Sequence, residues 1–109
     1  MKNTLVKDQA IEWTDLGHGI MRKVMAYDAS MMIVKVAFET GAVGTLHQHP
    51  HTQASYVSKG IFDITIDGKT ERLHAGDVYF VPGVKIHGAV CIEAGELVDV
   101  FSPMREDFV

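Results

Sequence analysis

The chain has 109 residues, 47% of them hydrophobic, and a formal net charge of −4. That length is one ordinary domain with enough apolar material for its own core. Its lysines and arginines are scattered rather than striped, which excludes a nucleic-acid partner; no run reaches the ~18 apolar residues of a membrane span; and the single Cys91 excludes an internal disulfide.

At the start of the chain, Lys7 and Asp8 interrupt any apolar stretch before a signal sequence could form, so the expected address is the cytoplasm. A lone cysteine fits that reducing compartment. Short apolar runs then alternate with turn signals. The expected strands are 23–27, 31–39, 54–57, 61–66, 77–81, 89–92 and 97–101, separated by Thr40-Gly41, Lys59-Gly60, Asp67-Gly68, Ala75-Gly76, Pro82-Gly83 and Ala94-Gly95. After Ile61-Phe62-Asp63-Ile64-Thr65-Ile66, Asp67-Gly68 reads as a tight hairpin turn, because glycine takes a positive φ at no steric cost. With no long helical period anywhere, the class is all-β, a sandwich or barrel in one domain over residues 1–109.

The stretch Thr45-Leu46-His47-Gln48-His49-Pro50-His51-Thr52-Gln53 concentrates imidazoles. Side chains two apart on a strand share a face, so His47 and His49 can aim into one space and bind a metal in their neutral form. A surface loop rich in His and Gln would carry the same residues. His51 shares the parity of its neighbours, but Pro50 disturbs the strand, and it is left out of the ligand set. His18 and His74 sit in polar, turn-like surroundings and are read as solvated. Cys91 is read as a small buried core residue.

Spacing tells against the loop. Gly41 lies six residues before His47, Gln53 four after His49 and Gly60 seven after Gln53. A second block runs Gly76-Asp77-Val78-Tyr79-Phe80-Val81-Pro82-Gly83-Val84-Lys85-Ile86-His87. Together the blocks resemble the two signature motifs of the cupin superfamily, over roughly 31–101. The resemblance implies a conical β-barrel (a jelly roll) holding one divalent metal ion through His47, His49, Gln53 and His87. Gln53 stands where the family usually has Glu, Val84 where it usually has Gly, and no Asn follows His87. Gly83 is expected to make the turn in place of Val84. Three neutral imidazoles and an amide leave the ion's charge uncompensated, which suits a Lewis acid acting on an anion. Nickel, zinc, iron and manganese all suit this ligand set.

The chain ends Asp99-Val100-Phe101-Ser102-Pro103-Met104-Arg105-Glu106-Asp107-Phe108-Val109. Asp99 and Phe101 share a face of the last strand. If Val98 and Val100 face out, Asp99 points into the barrel, where a carboxylate is costly without a partner or a role. Arg105 is near enough in sequence to fold back over the mouth. This ending resembles that of the KdgF family of pectin degradation proteins. So do Trp13-Thr14-Asp15-Leu16-Gly17, Arg22-Lys23-Val24, Ala26-Tyr27-Asp28, Phe38-Glu39 and Gly41-Ala42-Val43-Gly44.

That resemblance implies an enzyme converting 4,5-unsaturated monouronates, the end products of pectin and alginate lyases, to the linear 5-keto-4-deoxyuronate. Gln53, Asp99, Phe101 and Arg105 would be its catalytic or substrate-binding residues, and a homodimer is expected by analogy. Asp99 would move protons, Arg105 would pair with the substrate carboxylate and Phe101 would wall the ring. Rival readings are a non-catalytic sugar-binding cupin, a metal-dependent dioxygenase and a polyketide-cyclase-like cupin. By its resemblance, the C-terminal cluster argues against the last two.

Overall fold

The structure, a computed structural model, describes residues 4–109. Among these, eight strands carry the fold: β1 (Thr14–Gly17), β2 (Ile20–Tyr27), β3 (Met32–Phe38), β4 (Val43–His47), β5 (Thr52–Ile66), β6 (Lys69–His74), β7 (Val78–Val81) and β8 (His87–Ser102). One-turn 3-10 helices at Asp8–Ala10 and Glu106–Phe108 flank them. The all-β expectation holds.

The two long strands organise everything else. β5 and β8 run antiparallel from Thr52↔Ser102 to Ile66↔His87. The first half of β5 also pairs with β7 and its second half with β6. The second half of β8 pairs with β3, and its start with β4. Beyond β3 come β2 and β1, giving the path β1-β2-β3-β8-β5-β6 with β4 and β7 to the side. The path does not close on itself. β5 and β8 therefore each serve two layers, one of β1-β2-β3-β8-β5-β7 and one of β4-β8-β5-β6, and the expected barrel takes jelly-roll form.

The sequence expectation split each long strand in two. Lys59-Gly60 and Ala94-Gly95 are bends instead of turns. The β5–β8 register slips around Lys59 and Ile61, and the two glycines meet there. A side chain on Gly60, at φ +82°, would lie 2.5 Å from Glu93 O, and one on Gly95 would collide with Lys59 O. Only bare backbone passes at that spacing. β1, β4 and β6 were not among the expected strands, although β6 is the return arm of the Asp67-Gly68 hairpin. Both turn residues have positive φ, 51° and 83°, which matches a two-residue turn of the primed kind.

Inward residues alternate along the long strands as a pleat requires. Phe38, Val57, Phe62, Ile64, Cys91 and Leu97 form one buried cluster, with Phe38 and Phe62 edge to face at 5.1 Å. Cys91 is a core residue, as read from its apolar neighbours. Met32, Val34 and Phe101 form a second cluster. Between the two clusters, the inner faces of β5 and β8 turn polar.

Candidate active site

The inner face of β5 presents Gln53 and then Ser55, flanked in register by Val81 and Tyr79 on β7 and by Phe101 and Asp99 on β8. His87 opens β8, His47 ends β4 and His49 lies in the connection to β5. The topology thus brings together the four expected ligands, although they come from separate segments. The ring nitrogens of His47, His49 and His87 that could hold an ion lie within 4.8 Å of one another.

Each imidazole is oriented by the backbone. Nδ1 of His47 donates to Thr45 O at 2.8 Å, Nδ1 of His49 to His51 O at 3.0 Å and Nδ1 of His87 to Lys85 O at 2.9 Å. A carbonyl oxygen only accepts, so each Nδ1 carries the proton. Burial, above all, and then neighbouring positive charge hold His49 and His87 below the usual imidazole range, favouring the neutral ring. Each Nε2 is then a bare lone pair.

Gln53 sets the remaining atom. Ser55 Oγ donates to Asp99 Oδ1 at 2.6 Å, so it must accept from Gln53 Nε2, 2.9 Å away. The amide oxygen of Gln53 consequently faces the imidazoles, 3.1 Å from Nε2 of both His49 and His87. Acceptors converge here with no proton among them. A cation between them is what such a donor set fits, and the backbone carbonyls behind the rings are the usual second layer of a metal site.

Asp99 is buried, and burial raises its carboxyl to about 6 despite the hydrogen bond from Ser55 and the charge of Arg105. Val98 and Val100 lie on the opposite face of β8. Tyr79 sits beside Ser55 on the same inner row. Its burial, chiefly, and the charge of Asp99 push its phenol far above the ordinary range, so it stays a donor. Asp99, Gln53, Tyr79, His47 and His87 line one cavity of about 340 Å³.

Arg105 folds back over this cavity, its guanidinium 5.1 Å from the Phe101 ring and 4.3 Å from that of Phe108. Phe101 in turn packs edge-on against His49 at 5.7 Å. His51 stays outside the cluster: its Nε2 donates to Met104 O at 3.0 Å, tying the ligand loop to the C-terminal segment. His18 and His74 are exposed. The turn before His87 corrects one expectation. Val84, at φ 63°, takes the left-handed conformation itself. Gly83 is needed for room, since a side chain there would lie 2.7 Å from Pro50 O.

Tyr79 and Arg22 line the cavity and Ser55 links Gln53 to Asp99, but none of the three was given a site role from sequence. Parity with Gln53 marks Ser55. Arg22 alternates with Ile20 and Val24, which pack on the two core clusters.

Fold and histidine cluster together are those of a cupin, and the family model "Cupin domain" matches residues 34–101. The chain is 41% identical over 104 residues to pectin degradation protein KdgF of Dickeya dadantii (strain 3937), covering 94% of each chain. It is similar to the solved structure of KdgF from Halomonas sp., with 40% identity, a TM-score of 0.93, and coverage of 98% and 99%. An RmlC-like cupin from Shewanella frigidimarina NCIMB 400 is similar as well: 43% identity, TM-score 0.96, 98% and 96% covered. The chain belongs to the cupin superfamily and, within it, to the family of pectin degradation protein KdgF. Among the described residues no helix is long and apolar enough to cross a membrane.

Proposed function

We propose that this protein is a metal-dependent enzyme that opens 4,5-unsaturated monouronates from pectin or alginate breakdown to the linear 5-keto-4-deoxyuronate. The observation that carries the reading is the chain Gln53–Ser55–Asp99, which joins the imidazole cluster to a buried carboxylic acid inside one cavity. Kinship with KdgF supplies the substrate class.

His47, His49, Gln53 and His87 would hold one divalent ion, with nickel, zinc, iron and manganese all suited to the set. Bound there, the ion supplies Lewis acidity toward an anionic substrate. The protein's residues do the rest. Asp99, with a carboxyl near 6, is poised to give a proton to C4 and recover one as a water oxygen bonds to C5. The resulting hemiketal breaks its bond to the ring oxygen, leaving a ketone at C5. That oxygen takes the proton and ends as a hydroxyl on C1, and loss of water from C1 makes the net change an isomerisation. Ser55 holds Asp99 in place and Phe101 walls the ring. Arg105 adds positive charge where the carboxylate lies. Cytoplasmic action and a homodimeric state belong to the same reading, and light scattering reads the second.

The test uses unsaturated monouronate made with a lyase, following loss of its conjugated ultraviolet absorbance. Metallated protein should accelerate ring opening above the spontaneous rate without consuming oxygen. Metal-stripped protein and Asp99→Ala should not, the latter with its metal content unchanged. No acceleration by fully metallated protein sinks the proposal.

A further inference from the structure

The inner face of β2 carries a cation that the reaction above does not use. Arg22 lies between Ile20 and Val24 in the alternation and lines the same cavity as Asp99, Gln53 and His87. Its guanidinium rests 3.9 Å from the centre of the Phe108 ring. Among the described residues it makes no hydrogen bond and no close ion pair. Arg105 differs: Nε and Nη2 are held by Asp107 at 3.0 and 2.9 Å, a bidentate fork already filled.

Charge balance sharpens the contrast. Arg22 and Arg105 stack on one ring, and the Asp107 carboxylate is committed to Arg105, acting on Arg22 only as a charge at longer range. Arg22 is left half-buried, with five N–H donors and no protein acceptor among the described residues. Donors withdrawn from water without partners are costly, and a planar guanidinium matches a planar carboxylate in two parallel hydrogen bonds. Resting on the reading of the cavity as a uronate site, we propose that Arg22 is the residue whose fork receives the substrate's carboxylate. Arg105, clamped by Asp107, shapes the wall and adds charge at longer range. Arg22 is thereby the determinant of acid over ester.

The test compares unsaturated monouronate with its methyl ester, using metallated wild type, Arg22→Gln, Arg22→Lys and Arg105→Gln. Arg22→Gln should raise KM for the acid by about 10- to 100-fold, the loss of one charge-assisted pair, with kcat changed far less. It should also bring the acid-over-ester ratio close to one. Arg22→Lys, which keeps the charge and the stack but not the fork, should fall between, and it carries the test if the glutamine variant does not fold. Arg105→Gln should keep most of the preference. An unchanged KM and acid preference in both Arg22 variants overturns the assignment, as does loss of the preference in Arg105→Gln alone. A separate arm titrates D-galacturonate and its methyl ester by calorimetry, which needs no turnover. Wild type that binds the acid through Arg22 but opens no ring would sink the reaction and leave the anion site standing. Equal binding of acid and ester would sink the anion site alone.

Discussion

Replacing Asp99 by asparagine separates what this carboxyl does for the reaction from what it does to stability. Burial raises the group from 3.8 to about 6. A carboxyl raised on folding causes no loss while protonated in both states, below about pH 4. Its cost then grows as pH climbs and is complete once the folded group has ionised, above about pH 6. Two pH units correspond to roughly 3 kcal/mol. An asparagine side chain in its place would keep an oxygen to accept from Ser55 and carry no charge to desolvate. Metal-free Asp99→Asn should therefore match wild type near pH 4 and exceed it by about 2–3 kcal/mol at pH 7.5, while losing turnover. The salt-bridged or capped carboxylates Asp8, Asp28, Asp63 and Asp107, all lowered, lose their contribution in acid equally in both proteins and cancel. Urea titrations at several pH values, after chelation, read the difference directly. A difference that stays flat from pH 4 to 8 would refute the desolvated acid, and with it the case for Asp99 as proton donor.

Ser55→Ala removes the hydroxyl that accepts from Gln53 and donates to Asp99, leaving two buried groups short of a partner. It should cost about 1–3 kcal/mol and weaken metal affinity by about tenfold or more, measured by competition with a chelator. Val84→Gly relieves a β-branched residue at φ 63° whose side chain is 60% exposed. Strain of about 1–3 kcal/mol set against the extra chain entropy of glycine predicts a net gain near 1 kcal/mol, seen as a higher melting temperature with metal binding intact.

How far the sequence could be read depended on where the deciding contact lies. The candidate ligands were legible because His47, His49 and Gln53 lie close together in sequence and His87 closes the second family motif, even though His49 sits in the connection after β4. The Asp67-Gly68 hairpin was legible for the same reason: turn chemistry is local. The bends at Gly60 and Gly95 were not. In one dimension each is a glycine after an apolar run, the mark of a turn. What makes them bends is that they oppose each other across a ladder joining segments some 35 residues apart. The turn before His87 misled in the opposite way. Gly83 offered the obvious left-handed residue, yet the carbonyl of Pro50 claims its open side, and Val84 takes the strained conformation. That contact too crosses between segments.

Ser55 and Arg22 escaped notice for a different reason. A serine among alternating residues carries no signal of its own, and its importance comes from the two groups it links. Arg22 and Lys23 entered together in one family-like run, with no face assigned to either. On the fold they point to opposite faces: Lys23 is buried against Trp13 and held by Asp8, while Arg22 faces the cavity. Both cases follow from how the inner surface is divided. One end is closed by Phe38, Phe62 and their neighbours, which need only one another. The other end places imidazoles, an amide, a hydroxyl and a carboxyl in the interior, where each is tolerable only through a specific partner. The rings are satisfied by backbone carbonyls, and Gln53, Ser55 and Asp99 by each other. Nδ1 of His51 is buried without a partner outside the cluster; within the cavity, among the described residues, the lone pairs at Nε2 and the donors of Arg22 are left over. Those two remainders, one asking for a cation and one for an anion, face the same cavity, and a metal ion with a carboxylate substrate answers both.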